Sequence, residues 1–262
     1  MSSASLALES AQSQARFRRL VGAELLKLRR RRALVAASLA LIVAPMVASY
    51  VVLATLHAGN AAKYGPAGGV DNMRGALELL TQIGAVAAVL IGVNAGAGDL
   101  AAGVFRELVV TGRSRLALFA ARIPGGLALL LPLVAVACAI AATASVALAG
   151  SGQAPGADLL VEYAAWVGLV LTVGFLLALG VSSLLGSRST SIGVLLAWQL
   201  AVAPLLLQTG KLDSLLVGAA LRRIEPGGES VAISPLTAIL LIALWTIVPL
   251  AAGAWRTHTR DA

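Results

Sequence analysis

Long apolar runs alternate with short polar and basic stretches along the chain. Six of them are close to or longer than the roughly 20 helical residues that a hydrocarbon core of about 30 Å requires. They cover 33–56, 76–98, 116–148, 160–185, 190–208 and 233–255. The first two carry no charge at their centres, and Glu78 and Gln82 lie towards one end of the second. The third is longer than a bilayer needs, with Arg122 and Pro124 near its start, so its opening turns are expected at the interface. Only the polar turn Gly186-Ser187-Arg188-Ser189 separates the fourth run from the fifth. Pro124, Pro132, Pro204 and Pro249 are expected to kink their helices. The pattern predicts an all-α fold, a polytopic membrane protein with six transmembrane helices.

Ahead of the first run, 17–32 reads FRRLVGAELLKLRRRR, with Leu20, Val21, Leu25 and Leu28 at near-helical spacing and cations on the other faces. This predicts an amphipathic helix lying in the membrane interface. Residues 1–16 read as a disordered cytoplasmic tail, which leaves 17–262 as a single transmembrane domain. A cleavable signal peptide would carry an apolar stretch of only about 7 to 15 residues, shorter than the first run. Orientation follows from the retention of cations on the cytoplasmic side. With the N-terminus inside, 15 of the 20 lysines and arginines fall on that side, leaving Lys63, Arg74, Lys211, Arg222 and Arg223 outside. Both termini are therefore expected in the cytoplasm, with the chain multi-pass in the plasma (inner) membrane.

Composition excludes several classes. With 59% apolar and 12% charged residues, the chain lacks the inventory for a water-facing surface. The net charge of +8 does not point to nucleic acid, because the cations sit between apolar runs instead of on one face of a soluble body. The one cysteine, Cys138, allows no intramolecular disulfide. His57 and His258 fall on opposite sides of the membrane in this topology, so they share neither a metal nor a triad. Gly210-Lys211 is followed by Leu212 and lacks the upstream glycine of a phosphate-binding loop. No catalytic, cofactor-binding or metal-ligating residue is expected, and the chain reads as a non-enzyme whose nucleotide chemistry would come from a partner.

Polar side chains inside the runs are the next candidates. Gln82, Asn94 and Gln199 read either as interhelical hydrogen bonds or as the lining of a translocation path. Glu78 and Glu162 lie near the outer interface and are expected to be solvated. Gly92 and Gly96 form a small-xxx-small pair that predicts a close helix contact. The stretch between the second and third runs, DLAAGVFRELVVTGRSRLALFAAR, is patterned beyond a mere connector. Asp99, Gly103, Phe105, Arg106, Glu107, Leu108 and Val109 are expected in a short cytoplasmic helix with an apolar face for a partner protein. Arg113 and Arg115 would engage phosphates or acids.

In these features the chain resembles the type-2 permease family of ATP-binding cassette transporters, across nearly its whole length. The family's acid, lysine and basic residues in the interface helix are matched by Glu24, Lys27 and Arg29. Its inner-loop pattern is matched by Asp99, Gly103, Leu108, Ser114 and Arg115. The chain departs from it where Asp99 stands for glutamate and Val104 for threonine, and in lacking a proline near Thr111-Gly112. The resemblance implies a permease subunit that pairs with a second copy and docks two ATPase subunits. ATP would be bound by those partners, the inner loop would serve as the coupling helix, and the body would be surrounded by membrane lipid. It also implies short helices on the outer rim within KLDSLLVGAALRRIEPGGES, and export, while spans with few charges favour a lipophilic or amphipathic substrate such as an antibiotic, drug or lipid. A stand-alone secondary carrier is the alternative, although the chain shows no convincing pair of repeats. An intramembrane enzyme would need a convergent polar constellation that the spans lack.

Overall fold

The computed structural model describes residues 3–103, 114–208, 215–227 and 233–259, and every regular element among them is helical. Six helices are long and apolar enough to cross a membrane: Arg32–Gly59, Val70–Asp99, Arg115–Ala147, Ala157–Leu185, Arg188–Gln208 and Pro235–Thr259. The chain is thus a multi-pass membrane protein. Each span falls on a run expected from the sequence. Their alternation puts the C-terminal end of α1, the end of the second span, the start of the third, the Gly186 turn and the end of the sixth span at one pole, here called the arginine-rich end.

Helix α1, which spans Ser3–Arg30, begins earlier than expected, so the segment read as a disordered tail forms one helix with the expected interface segment. Its Leu28 is fully buried, and it packs along the third span. The first span consists of α2 (Arg32–Ile42) and α3 (Ala44–Gly59), broken at Val43. Pro45 sits in the first turn of α3 and has no N–H to continue the ladder, which accounts for the break. A short turn of helix, α4 (Ala61–Tyr64), is capped by the Asn60 side chain accepting from the Lys63 N–H.

The core is built on α5 (Val70–Ala101) and α7 (Ala157–Leu185), which share the most extensive interface in the molecule. The expected glycine pair explains their approach. A Cβ at Gly92 would lie 2.6 Å from the Phe175 carbonyl oxygen, and one at Gly96 2.6 Å from that of Leu179. Side chains there would drive the helices apart. Helix α6 (Arg115–Ala147) lines the other side of this pair and runs through both Pro124 and Pro132.

The fifth span comprises α8 (Arg188–Ala197), a π-helical turn over Trp198–Val202 and α9 (Ala203–Gln208). The Ala203 N–H reaches back to the Trp198 carbonyl, one residue ahead of Pro204. The irregularity expected at Pro204 therefore takes the form of a widened turn. Short α10 (Val217–Arg223) matches the rim helix expected between the fifth and sixth spans, and the sixth span is α11 (Pro235–Thr259). Leu212, on the same segment, lies outside the described residues.

Candidate functional site at the arginine-rich end

Three elements converge where the second span ends. Asp99 was expected on the loop, but α5 continues to Ala101, which places it in the last helical turns with only 4% of its surface exposed. The Lys27 ammonium on α1 reaches both of its oxygens, at 3.0 and 3.1 Å. The Arg122 guanidinium on α6 donates from Nη2 to Asp99 Oδ2 at 3.1 Å and from Nη1 to the Gly96 carbonyl at 3.0 Å. Lys27 also pairs with Glu24 one turn back, whose Oε2 lies beside the ammonium without hydrogen-bond geometry. A layer deeper, Arg31 donates to Asn94 Oδ1 at 2.5 Å, and the Asn94 amide donates to the Leu90 carbonyl at 2.7 Å.

Arg122 is 1% exposed, although the opening turns of its run were expected at the interface. It stands two turns into α6, where a cation without a partner would carry several kcal/mol of desolvation. Asp99 and the negative end of the α5 dipole offset that cost, and Arg122 Nε remains without a partner. The missed signal was in the sequence: an arginine inside an apolar run needs an internal acid, and Asp99, at the end of the neighbouring apolar run, supplies it.

The shape of α1 makes the contact possible. A Cβ on Gly125 would lie 2.7 Å from Glu24 Cβ, so glycine lets α1 lie directly against α6 and brings Lys27 over Asp99. Gly103, two residues beyond α5, has φ +71°, a left-handed conformation that ends a helix readily only with glycine. Beyond it, Phe105, Arg106, Glu107, Leu108 and Arg113 lie outside the described residues. Arg115, in the first turn of α6, donates to the His258 carbonyl at 3.0 Å, tying the start of the third span to the end of the sixth. Arg29 is exposed on α1.

The three polar candidates within the spans do not meet. Asn94 belongs to the network just described, Gln82 is exposed on α5, and Gln199 is half-buried in the π-helical turn. Asn94 thus makes an interhelical hydrogen bond, to Arg31 at the junction of α1 and α2. Among the described residues no group of three or more histidines, cysteines or acids could hold a metal ion. The charged network clamps the end of α5 between α1 and the third span. No family model matches the chain, and no curated protein is significantly similar to it.

Proposed function

We propose that the chain is the permease subunit of an ATP-driven transporter of the type-2 ATP-binding cassette kind, exporting a lipophilic or amphipathic substrate. In this reading two copies of the chain pair and two ATPase subunits bind the loop between α5 and α6. Both termini face the cytoplasm of a plasma (inner) membrane. The observation that carries it is the buried Asp99, held by Lys27 and Arg122 at the base of that loop. A connector of no consequence needs no such base, whereas a loop that takes a push from a partner does. The resemblance of the interface helix and the loop supports the same reading, and the chain's own residues supply no phosphate-binding loop.

The test is co-purification in detergent with a candidate soluble ATPase, which a permease of this kind should have encoded beside it. Intact chain should retain the ATPase, and Phe105→Ala with Arg106→Ala should release it while eluting as a folded protein. Asp99→Asn should keep the ATPase bound but lower ATP-driven transport, because docking and transmission are separate steps. Failure of the intact chain to bind any such ATPase would overturn the reading.

A further inference from the structure

The geometry points to a lipid-binding site between the first two spans: a groove that takes one acyl chain and a polar cavity that takes a zwitterionic headgroup. Helix α2 packs closely along α5, but the break at Val43 and Pro45 lets α3 diverge from it. The gap is a groove of about 650 Å³, walled by Pro45, Ala48, Val52 and Leu53 on one side and by Gly75, Leu79 and Ile83 on the other. Gly75 opens its floor, since a Cβ there would meet nothing within 4 Å. From Gly75 to Ile83 the wall runs roughly 12 Å at 1.5 Å per residue, the length of about nine methylenes.

The groove ends at Asp71 and Asn72, and both residues also line a second cavity of about 480 Å³ at the pole opposite the arginine-rich end. Tyr64, Arg74 and Gln153 complete the polar part of that lining. The cavity wall is firmly built. Gly68 and Gly69 donate to the Leu148 and Ser145 carbonyls at 2.8 and 2.9 Å, and Val70 donates to Gln153 at 3.0 Å. The Asn72 amide nitrogen is held by the Pro66 and Gly68 carbonyls at 3.0 and 3.1 Å, which leaves its side-chain oxygen as an acceptor.

Apolar walls running into one carboxylate, one amide oxygen and one guanidinium match a particular occupant. An acyl chain fits the groove, an ammonium fits Asp71 and Asn72, and a phosphate fits Arg74, whose guanidinium it would share with the Tyr163 hydroxyl and the nearby Glu225. In a bilayer the chain gains nothing from leaving its neighbours, so preference among lipids comes from the head. A headgroup with both charges, such as phosphoethanolamine, complements the cavity, whereas a purely anionic one meets Asp71 unfavourably. That such a lipid is the cargo rests on the permease reading; that it binds does not.

The full chain, purified in detergent without any ATPase, would be incubated with phosphatidylethanolamine or phosphatidylglycerol of identical chains and examined by native mass spectrometry. One phosphatidylethanolamine per chain should be retained, with a preference of roughly fivefold over phosphatidylglycerol, the scale of one exposed ion pair. Gly75→Trp, which fills the groove floor, should abolish retention of both lipids, and Asp71→Asn should erase the preference while keeping the lipid. If Gly75→Trp does not elute as folded protein, Ala48→Phe fills the groove from the other wall and should give the same loss. Equal retention of the two lipids, or retention unchanged by a filled groove, would overturn the site. So would loss of chain pairing on filling, with lipid still bound, since the groove would then be a protein interface.

Discussion

The two poles of this molecule are held together by different chemistry. At the arginine-rich end, charges do the work: Lys27, Asp99 and Arg122 come from three separate elements and meet in a site that is almost dry. At the opposite end, beside an Arg223 whose Nε donates to the Ile233 carbonyl at 3.0 Å, several links are made by neutral donors to backbone carbonyls. Tyr163 donates to Pro226 at 2.9 Å, Trp166 to Leu221 at 2.9 Å and Trp245 to Leu215 at 2.9 Å, which hangs the α10 segment on the fourth and sixth spans. Neutral bonds of this kind are worth about 1 kcal/mol each and fail one at a time. A buried ion network fails as a unit, because removing one member leaves the others charged and dry. The contrast makes one pole a single cooperative contact and the other a set of separate links.

The largest effect should come from breaking the charged pole. Asp99→Ala leaves Arg122 buried without its acid, and should cost about 3–5 kcal/mol, a drop of roughly 10 °C in the apparent Tm in detergent. Lys27→Ala should cost clearly less, since the Lys27 side chain is 25% exposed and water can replace part of what it gives. At the opposite pole, Trp166→Phe should cost only about 1–2 kcal/mol by leaving the Leu221 carbonyl unsatisfied, and Tyr163→Phe about as little. Limited proteolysis should show these two variants opening at the α10 segment while the spans stay protected.

The smallest effect concerns pH. Burial, with Glu78 nearby, raises the Glu225 pKa above its ordinary value of 4.5, against the opposing pull of Arg222 and Arg74. The folded protein therefore holds this proton more tightly than the unfolded chain does. The resulting stabilisation is full below the ordinary carboxylate value and fades as pH rises through the raised one. Glu225→Gln should remove that dependence, so thermal melts at a series of pH values should show the variant gaining on the parent as pH rises above about 4.5.

Most of the architecture was legible in the sequence because bilayer thickness fixes helix length and lipid exposure fixes composition. The six spans follow from those constraints, the Gly92–Gly96 contact from the spacing of small residues, and the short helix α10 was expected from the resemblance alone. What escaped depends on three-dimensional pairing. Asp99 read as a loop residue because a carboxylate at the end of an apolar run looks solvated. Its burial is evident only once Lys27, 72 positions away, lies across it. Arg122 read as a flanking cation for the same reason. The break at Pro45 was not anticipated, since a proline inside an apolar run does not say whether the helix bends, widens or continues. In this chain Pro45 coincides with a break, Pro204 follows a π-helical turn, and α6 runs through Pro124 and Pro132.

The buried pair at the base of the loop is most directly tested by a double-mutant cycle on Asp99→Asn and Arg122→Gln, read as apparent Tm in detergent. The account predicts that each single variant loses several degrees and that the double variant is no less stable than the worse single, because neutralising both partners leaves no unpaired charge. Losses that simply add would show that the two side chains do not share one buried interaction, and would contradict the clamp on which the functional reading rests.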